Sequence, residues 1–129
     1  MDYPTHSGAY RFRRALNWIP LGFAYAFLYM GRYNLTVAKS AMGDSLMTKA
    51  QFGEIFAVGA WAYGLSFLVT GPLTDKIGGR AAMLVGTAGA LVVNFLMGLT
   101  LYGIAYWGWT IQVAGTFMVL YAINMHFQS

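Results

Sequence analysis

The sequence predicts an all-α membrane protein with four transmembrane helices. Of its 129 residues, 58% are hydrophobic and only 9% are charged, whereas a soluble domain carries about a quarter charged residues. The few charges stand mainly between four long apolar runs. That arrangement is typical of helices that cross a bilayer.

Composition also excludes several classes of protein. Cysteine is absent, so neither a disulfide framework nor a thiolate metal site is possible. The net charge of +4 is explained by basic residues at the ends of spans, so no nucleic-acid partner is predicted. The first apolar run is longer than a signal-peptide core and lacks a clean cleavage site, so we expect it to be retained as a span.

Residues 1–17 are predicted to form a polar cytoplasmic leader that contains the basic run RFRR at 11–14. The first span is predicted at 18–42, with Trp18 at the membrane interface. Pro20 is expected in its first turn, where a missing N–H is harmless. At 1.5 Å per residue this run is long enough for a hydrocarbon core of about 30 Å.

A polar connection at 43–51 leads to a second span at 52–73. Thr48 followed by Gln51 predicts a capping box at the start of that helix. The second span carries one acid, Glu54, near its outer end.

The short segment TDKIGGR precedes a third span at 81–101, whose many glycines and alanines favour close helix approach. The uncharged aromatic segment 102–109 is predicted to be an interfacial loop. The fourth span, 110–129, reaches the end of the sequence without a polar tail, so we expect the chain to be a fragment of a longer membrane protein.

The distribution of basic residues predicts the orientation. The leader and the loop after the second span hold five Lys and Arg residues, whereas the other two connections hold only Lys49. By the positive-inside rule the N-terminus is cytoplasmic. We therefore predict a multi-pass protein of the plasma (inner) membrane, with the lipid bilayer as a partner.

A polar stripe runs along the first span. Successive spacings of four, three, four and three place its members on one helical face: Tyr25, Tyr29, Arg32, Thr36 and Lys39. A charge at the centre of a span costs roughly 2.5–3.5 kcal/mol on insertion scales. A cationic stripe with phenolic donors is suited to a small anionic substrate, because Arg binds phosphate or carboxylate with paired hydrogen bonds.

Three alternatives to parts of this anion site remain open. Arg32 could instead be neutralised by Glu54, the one intramembrane acid available. Lys39 could extend its side chain to the lipid headgroups, and the two tyrosines could be ordinary packing residues.

The fourth span places Tyr121, Asn124 and Gln128 on one face, where they could line a cavity or form interhelical hydrogen bonds. His126 could relay protons or simply pack, and His6 supports no metal site. The sequence contains no catalytic constellation. It therefore predicts no enzyme, no metal and no cofactor.

The segment GPLTDKIGGR resembles the signature of the major facilitator superfamily between its second and third helices, G-x-x-x-D-(R/K)-x-G-(R/K)-(R/K). The matching residues are Gly71, Asp75, Lys76, Gly78 and Arg80, whereas Gly79 replaces a usual basic residue. The resemblance implies that the four spans belong to the N-terminal six-helix bundle of a twelve-helix transporter. It implies that this loop gates alternating access, with Asp75 contacting the missing C-terminal half.

Within that superfamily, YMGRYN is similar to the first helix of the organophosphate:phosphate antiporters, in which an Arg at the position of Arg32 binds the phosphoryl group. Tyr33 and Phe67 stand where some members have basic residues. The implied function is exchange of a phosphorylated metabolite for phosphate. A carboxylate symporter of the same superfamily and a stand-alone four-span structural or assembly subunit are the alternatives.

Overall fold

The computed structural model describes residues 7–129, except for the side chain of Ser45. It contains four helices: α1 (Gly8–Leu46), α2 (Lys49–Ile77), α3 (Gly79–Trp107) and α4 (Val113–Phe127). The all-α prediction is confirmed. Residues 1–6 of the predicted leader, which include His6, lie outside the described residues.

Helix α1 begins ten residues before the predicted first span. Ser7 caps it, and the side-chain oxygen of Ser7 accepts a hydrogen bond from the backbone N–H of Tyr10 at 3.3 Å. Pro20 therefore lies inside the helix, so the prediction that it lies in the first turn was wrong. Near the other end, Gly43 has non-helical angles of φ 65° and ψ −165° and breaks the helix.

The predicted capping box of α2 is confirmed. The N–H of Gln51 donates to Oγ1 of Thr48 at 3.2 Å, and the N–H of Thr48 donates to Oε1 of Gln51 at 3.0 Å. These two bonds satisfy two backbone N–H groups that would otherwise have no partner at the start of α2. At its other end α2 continues through Thr74 and Asp75 to Ile77.

The connection between α2 and α3 is a single residue, Gly78. Its φ of 83° is one that residues with a side chain rarely adopt, and its N–H donates to the carbonyl of Thr74 at 2.8 Å. Gly79 is already helical. Most of the predicted loop is therefore helical, because Gly78 alone makes the turn between the two helices.

Helix α3 runs to Trp107, so most of the predicted aromatic loop is helical. The helix continues through Gly103 and ends only before Gly108, which adopts a left-handed conformation with φ 66°. The ring of Trp109 then folds back against Gly103, where a Cβ atom would collide with it.

Helix α4 packs mainly on α2 and α3, and α1 contacts α3 and α4. The core includes Ile55 of α2 and Phe117 and Tyr121 of α4, each at most 2% exposed. The ring of Tyr121 lies directly on Gly59, and that of Phe127 lies on Gly89, at points where a Cβ atom would collide. The small residues of α2 and α3 thus allow the close helix approach that was expected of α3.

Two of the described helices, α2 and α3, are long and apolar enough to cross a membrane by length and composition. Helix α4 has 15 residues and is a shorter apolar helix. Many large apolar side chains of the bundle face outward, among them Trp61 at 73% and Phe95 at 68% exposure. A lipid environment would cover such a surface.

Candidate anion site

An open cleft with a volume of about 400 Å³ lies between α1, α2, α3 and the end of α4. Tyr25, Tyr29 and Arg32 of the predicted stripe line its α1 side. The opposite wall ends at Ile77 of α2 and Ala82 of α3. The cleft therefore reaches the end of the bundle where Gly78 joins these two helices.

Arg32 is held in the cleft by neutral groups. Its Nε–H donates to Oε1 of Gln128 at 3.2 Å, and its guanidinium carbon lies 4.8 Å and 4.7 Å from the ring centroids of Tyr29 and Tyr63. Two aromatic faces stabilise the cation. Arg carries several other N–H donors, so the guanidinium retains donors for an additional acceptor.

Within residues 7–129, no carboxylate lies within salt-bridge distance of Arg32. Glu54 is exposed near the start of α2. Arg32 contacts α2 at Tyr63, nine residues further along, a separation of about 14 Å at 1.5 Å per residue. The alternative that Glu54 neutralises Arg32 therefore has no support in this structure.

The two tyrosines of the stripe are linked to each other and to Arg32. The hydroxyl of Tyr25 donates to the hydroxyl of Tyr29 at 3.0 Å, and their ring centroids are 4.7 Å apart. The ring of Tyr29 also contacts the guanidinium. The sequence spacing correctly brings these three side chains to one place.

Thr36 and Lys39 do not line the cleft. Nζ of Lys39 donates to the carbonyl of Gly43 and to Oδ1 of Asp44, both at 2.7 Å. The hydrogen bond from Lys39, reinforced by its charge, lowers the pKa of the Asp44 carboxyl. The first three residues of the stripe therefore line the cleft, whereas Thr36 and Lys39 lie further along α1, towards the break at Gly43.

A hydrogen-bonded network behind Arg32 joins three helices. Oδ1 of Asn124 accepts hydrogen bonds from Nδ2 of Asn94 at 3.1 Å and from Nε2 of Gln128 at 3.0 Å. Asn124 is fully buried, and its own Nδ2 has no partner among the described residues. Gln128 then contacts Arg32. The network thus positions the guanidinium from α3 and α4.

The predicted polar face of α4 therefore has two roles. Gln128 lines the cleft and Asn124 makes interhelical hydrogen bonds. Tyr121 lies in the core against Phe56, with ring centroids 5.0 Å apart, and does not line the cleft. Sequence reasoning missed Asn94, although an amide within an apolar span was a signal for it.

A second polar cluster lies on the same cleft, between α2 and α4. Oγ of Ser66 lies 2.7 Å from Nδ1 of His126, and Oγ1 of Thr70 lies 3.4 Å from Oγ of Ser129. His126, Thr70 and Ser129 all line the cleft. Sequence reasoning missed Ser66 and Thr70, whose spacing of four residues places both on one face of α2.

The residues of the predicted gate surround the α2–α3 connection. Asp75 and Lys76 lie exposed in the last turn of α2, and Arg80 lies exposed in the first turn of α3. None of the three has an ion pair within the described part of the chain. An acid is disfavoured at a helix C-terminus, so Asp75 gains no stabilisation from its own helix end. Gly71 lies within α2, where a Cβ atom would meet nothing.

Comparison with known proteins identifies the family. The sequence model of the Major Facilitator Superfamily matches residues 21–127, which is most of the chain.

The chain belongs to the Major Facilitator Superfamily.

Two curated relatives agree with this membership. The chain is 28% identical to the D-galactonate transporter of Escherichia coli O6:H1 over 99 residues, which cover 76% of this chain and 23% of the relative. It is 27% identical to the membrane sensor protein UhpC of Salmonella typhimurium over 120 residues, which cover 92% of this chain and 25% of the relative. The chain thus spans about a quarter of the length of these relatives.

No solved structure matches the chain. Members of this superfamily are integral membrane transporters and not enzymes, which confirms the membrane class predicted from composition and the expectation that the chain is no enzyme. The superfamily membership that the segment from Gly71 to Arg80 indicated is likewise confirmed by a match that includes these residues.

Proposed function

We propose that this chain provides the anion-binding part of a secondary transporter for an organic anion. The observation that supports this proposal is the environment of Arg32, which lines an open cleft and contacts an amide and two aromatic rings without a carboxylate partner in the described residues. A buried or membrane-embedded guanidinium without a counter-ion is costly. A bound anion would supply the missing charge.

The surroundings of Arg32 favour reversible binding. A carboxylate or phosphate can accept two parallel hydrogen bonds from a guanidinium, whereas Gln128 engages only Nε. Tyr25 and Tyr29 present hydroxyl groups on the same wall. In this proposal they orient the anion while Arg32 binds it.

Two classes of organic anion fit this site. The resemblance of the first helix to organophosphate:phosphate antiporters favours a phosphorylated metabolite that is exchanged for phosphate. The name of the Escherichia coli relative favours a sugar acid, because D-galactonate carries a carboxylate. Both classes use the same interaction with Arg32, so substrate competition has to distinguish them.

We further propose that all four helices cross the membrane with the N-terminus in the cytoplasm, as part of the first six-helix bundle. A second half of the transporter would close the cleft from the side of α1. Access would alternate as the halves rock against each other. Asp75, with Lys76 and Arg80 nearby, would contact that second half when the cytoplasmic side closes.

The absence of cysteine makes the proposed orientation testable. Single cysteines introduced at Thr48 and at Asp75 should react with a membrane-impermeant maleimide from opposite sides of the membrane. Labelling of Thr48→Cys in intact cells, with labelling of Asp75→Cys only after permeabilisation, would support the proposal. The reverse pattern would refute the orientation.

Transport by the full-length protein in proteoliposomes tests the function. Uptake of labelled phosphate or D-galactonate should be competed by the cognate anion and abolished by Arg32→Ala. Arg13→Gln is a matched control, because Arg13 is an exposed arginine of α1 outside the cleft. Equal uptake by wild type and Arg32→Ala would show that the anion-site proposal is wrong.

A further inference from the structure

We propose that Arg11 and Arg14, the entry pair, form a transient binding site for the anion at the mouth of the cleft, from which it passes along α1 to Arg32. The inference rests on the proposed function, because it requires an anion that binds Arg32. It adds the route by which that anion reaches the cleft. Three observations support it: the continuity of α1, a shared helical face, and the balance of charge at the mouth.

Helix α1 is continuous from its first turn to the cleft. It begins at Gly8, and Gly43 is the one residue between Gly8 and Leu46 with non-helical angles. The backbone therefore stays helical at Pro20, and the helical register of Arg32 extends back to the start of α1. The basic segment that the sequence alone places in a leader is thus part of the helix that lines the cleft.

The entry pair lies on the same face of α1 as the residues that line the cleft. At 100° per residue, six aromatic or basic residues fall within a sector of about 60°: Arg11, Arg14, Trp18, Tyr25, Tyr29 and Arg32. The first three are exposed, and the last three line the cleft. Arg13 lies about 100° outside that sector. The polar stripe of α1 therefore continues past the cleft to the entry pair.

Distances along the helices place the entry pair just outside the mouth of the cleft. Helix α2 runs antiparallel to α1, and Ile77, at the mouth, is 14 residues beyond Tyr63, which contacts Arg32. Trp18 is 14 residues before Arg32, so it lies at about the level of Ile77. At 1.5 Å per residue, the entry pair then stands about 6–10 Å beyond the mouth.

The positive charge of the entry pair has no neutralising acid nearby on α1. The sequence has no acid between Asp2 and Asp44, and neither arginine of the pair forms an ion pair within the described residues. Like charges on neighbouring turns of a helix repel each other. A carboxylate or phosphate that accepts hydrogen bonds from both guanidinium groups would relieve this repulsion.

The entry pair should affect the rate of binding and not the affinity. Arg14 is 18 residues from Arg32, about 27 Å along the helix, whereas the screening length at about 0.1 M salt is roughly 10 Å. A charge at that distance does not stabilise an anion already bound at Arg32. It attracts the anion on its way in and out, so it should accelerate association and dissociation by the same factor.

Ligand-exchange NMR of the purified full-length protein in neutral detergent tests this route. Inorganic phosphate and D-galactonate are the probes, whose line widths give the exchange rate, while equilibrium titration gives the Kd. With Arg11→Gln and Arg14→Gln combined, exchange should be about tenfold slower than in wild type at about 0.1 M salt. The Kd should change by less than about twofold. The difference in rate should disappear at about 1 M salt, where the screening length is roughly 3 Å.

Arg13→Gln is the matched control. Arg13 is exposed on α1 between the two members of the entry pair but lies outside their helical face. Its replacement should change the exchange rate by less than about twofold. A phospholipid headgroup presents the same phosphate chemistry as a free anion, so native mass spectrometry should also count the anionic phospholipids that wild type and the double variant retain.

The outcomes separate the entry site from the anion site. Slower exchange at constant Kd in the double variant, but not in Arg13→Gln, supports the entry site. Equal exchange rates would overturn it and leave the anion site intact, and a simultaneous loss of retained phospholipid would assign the pair to lipid headgroups. Equal slowing in Arg13→Gln, or a large rise in Kd in the double variant, would also overturn it. Failure of both probes to bind wild type would instead refute the proposed function.

Discussion

Helix α1 carries two cations within its polar stripe, and the structure treats them differently. Lys39 donates to the Asp44 carboxylate and to the carbonyl of Gly43, both at 2.7 Å. Arg32, two turns earlier, contacts only an amide and aromatic rings within the described residues. A cation with its own carboxylate is neutralised locally, whereas a cation held by neutral groups can still bind an anion.

The largest expected effect comes from giving Arg32 the carboxylate that Lys39 already has. Gln128→Glu changes an amide that lies 3.2 Å from Nε of Arg32 into a carboxylate of nearly the same shape. At pH 7.5 the introduced acid should pair with the guanidinium and repel the substrate. We expect anion affinity to fall on the order of 100-fold, the loss of a charge-assisted hydrogen bond of about 2–3 kcal/mol.

Equilibrium binding of D-galactonate or phosphate to the full-length protein measures this change. Gln112→Glu is the matched control, because Gln112 is exposed at the start of α4 and outside the cleft. Undiminished binding by Gln128→Glu would mean that Arg32 does not bind the substrate.

The next effect concerns the network that holds Arg32 in place. Asn124→Ala would leave Nδ2 of Asn94 and Nε2 of Gln128 without their shared acceptor. We expect a loss of about 1–2 kcal/mol in the free energy of unfolding. The buried and unsatisfied Nδ2 of Asn124 is removed at the same time, which keeps the loss at the lower end.

Thermal unfolding in detergent micelles measures that loss. Asn34→Ala is its control, because Asn34 is exposed on α1 and should leave the unfolding temperature nearly unchanged. If both variants unfold like wild type, the interhelical hydrogen bonds contribute no net stability.

These residues also show how far sequence reasoning reached. The spacing of Tyr25, Tyr29 and Arg32 placed them on one face because helical periodicity is a local property. The same rule also placed Lys39 on that face. Periodicity does not predict that Lys39 instead binds Asp44, which follows the break at Gly43. Local chemistry was also sufficient for the capping box at the start of α2.

Contacts between helices were beyond such rules. Ser66 and His126 are 60 residues apart, and Arg32 and Gln128 are 96 residues apart. Their pairing depends on how α4 packs between α2 and α3, which no spacing along the chain encodes. Helices α1, α2 and α3 are longer than the predicted spans, because a helix can continue beyond the apolar core that hydropathy detects.

A smaller effect is expected at the paired end of α1. Lys39→Gln removes the charge that Asp44 already neutralises, and Lys39 does not line the cleft. Anion affinity should therefore change by less than about twofold, because Asp44 already neutralises the charge of Lys39 and the pair lies outside the cleft. The same binding assay measures it. A loss of anion affinity as large as that of Gln128→Glu would mean that Lys39 also belongs to the substrate site. Lys39 and Arg32 would then not differ in the way described above.

The smallest effect is the pH dependence of the Lys39–Asp44 pair. The hydrogen bond that Lys39 donates to Asp44 lowers the pKa of the Asp44 carboxyl below the ordinary value of about 3.9. A lowered pKa in the folded protein means that the pair stabilises the fold above that ordinary value, and that this contribution is lost as the pH falls through the folded pKa. Thermal unfolding should therefore show a small, constant advantage of wild type over Asp44→Asn from pH 7 to about pH 5, which disappears in more acidic buffer. An advantage that grew on acidification would contradict the pairing, because protonation of Asp44 removes the charge that Lys39 attracts.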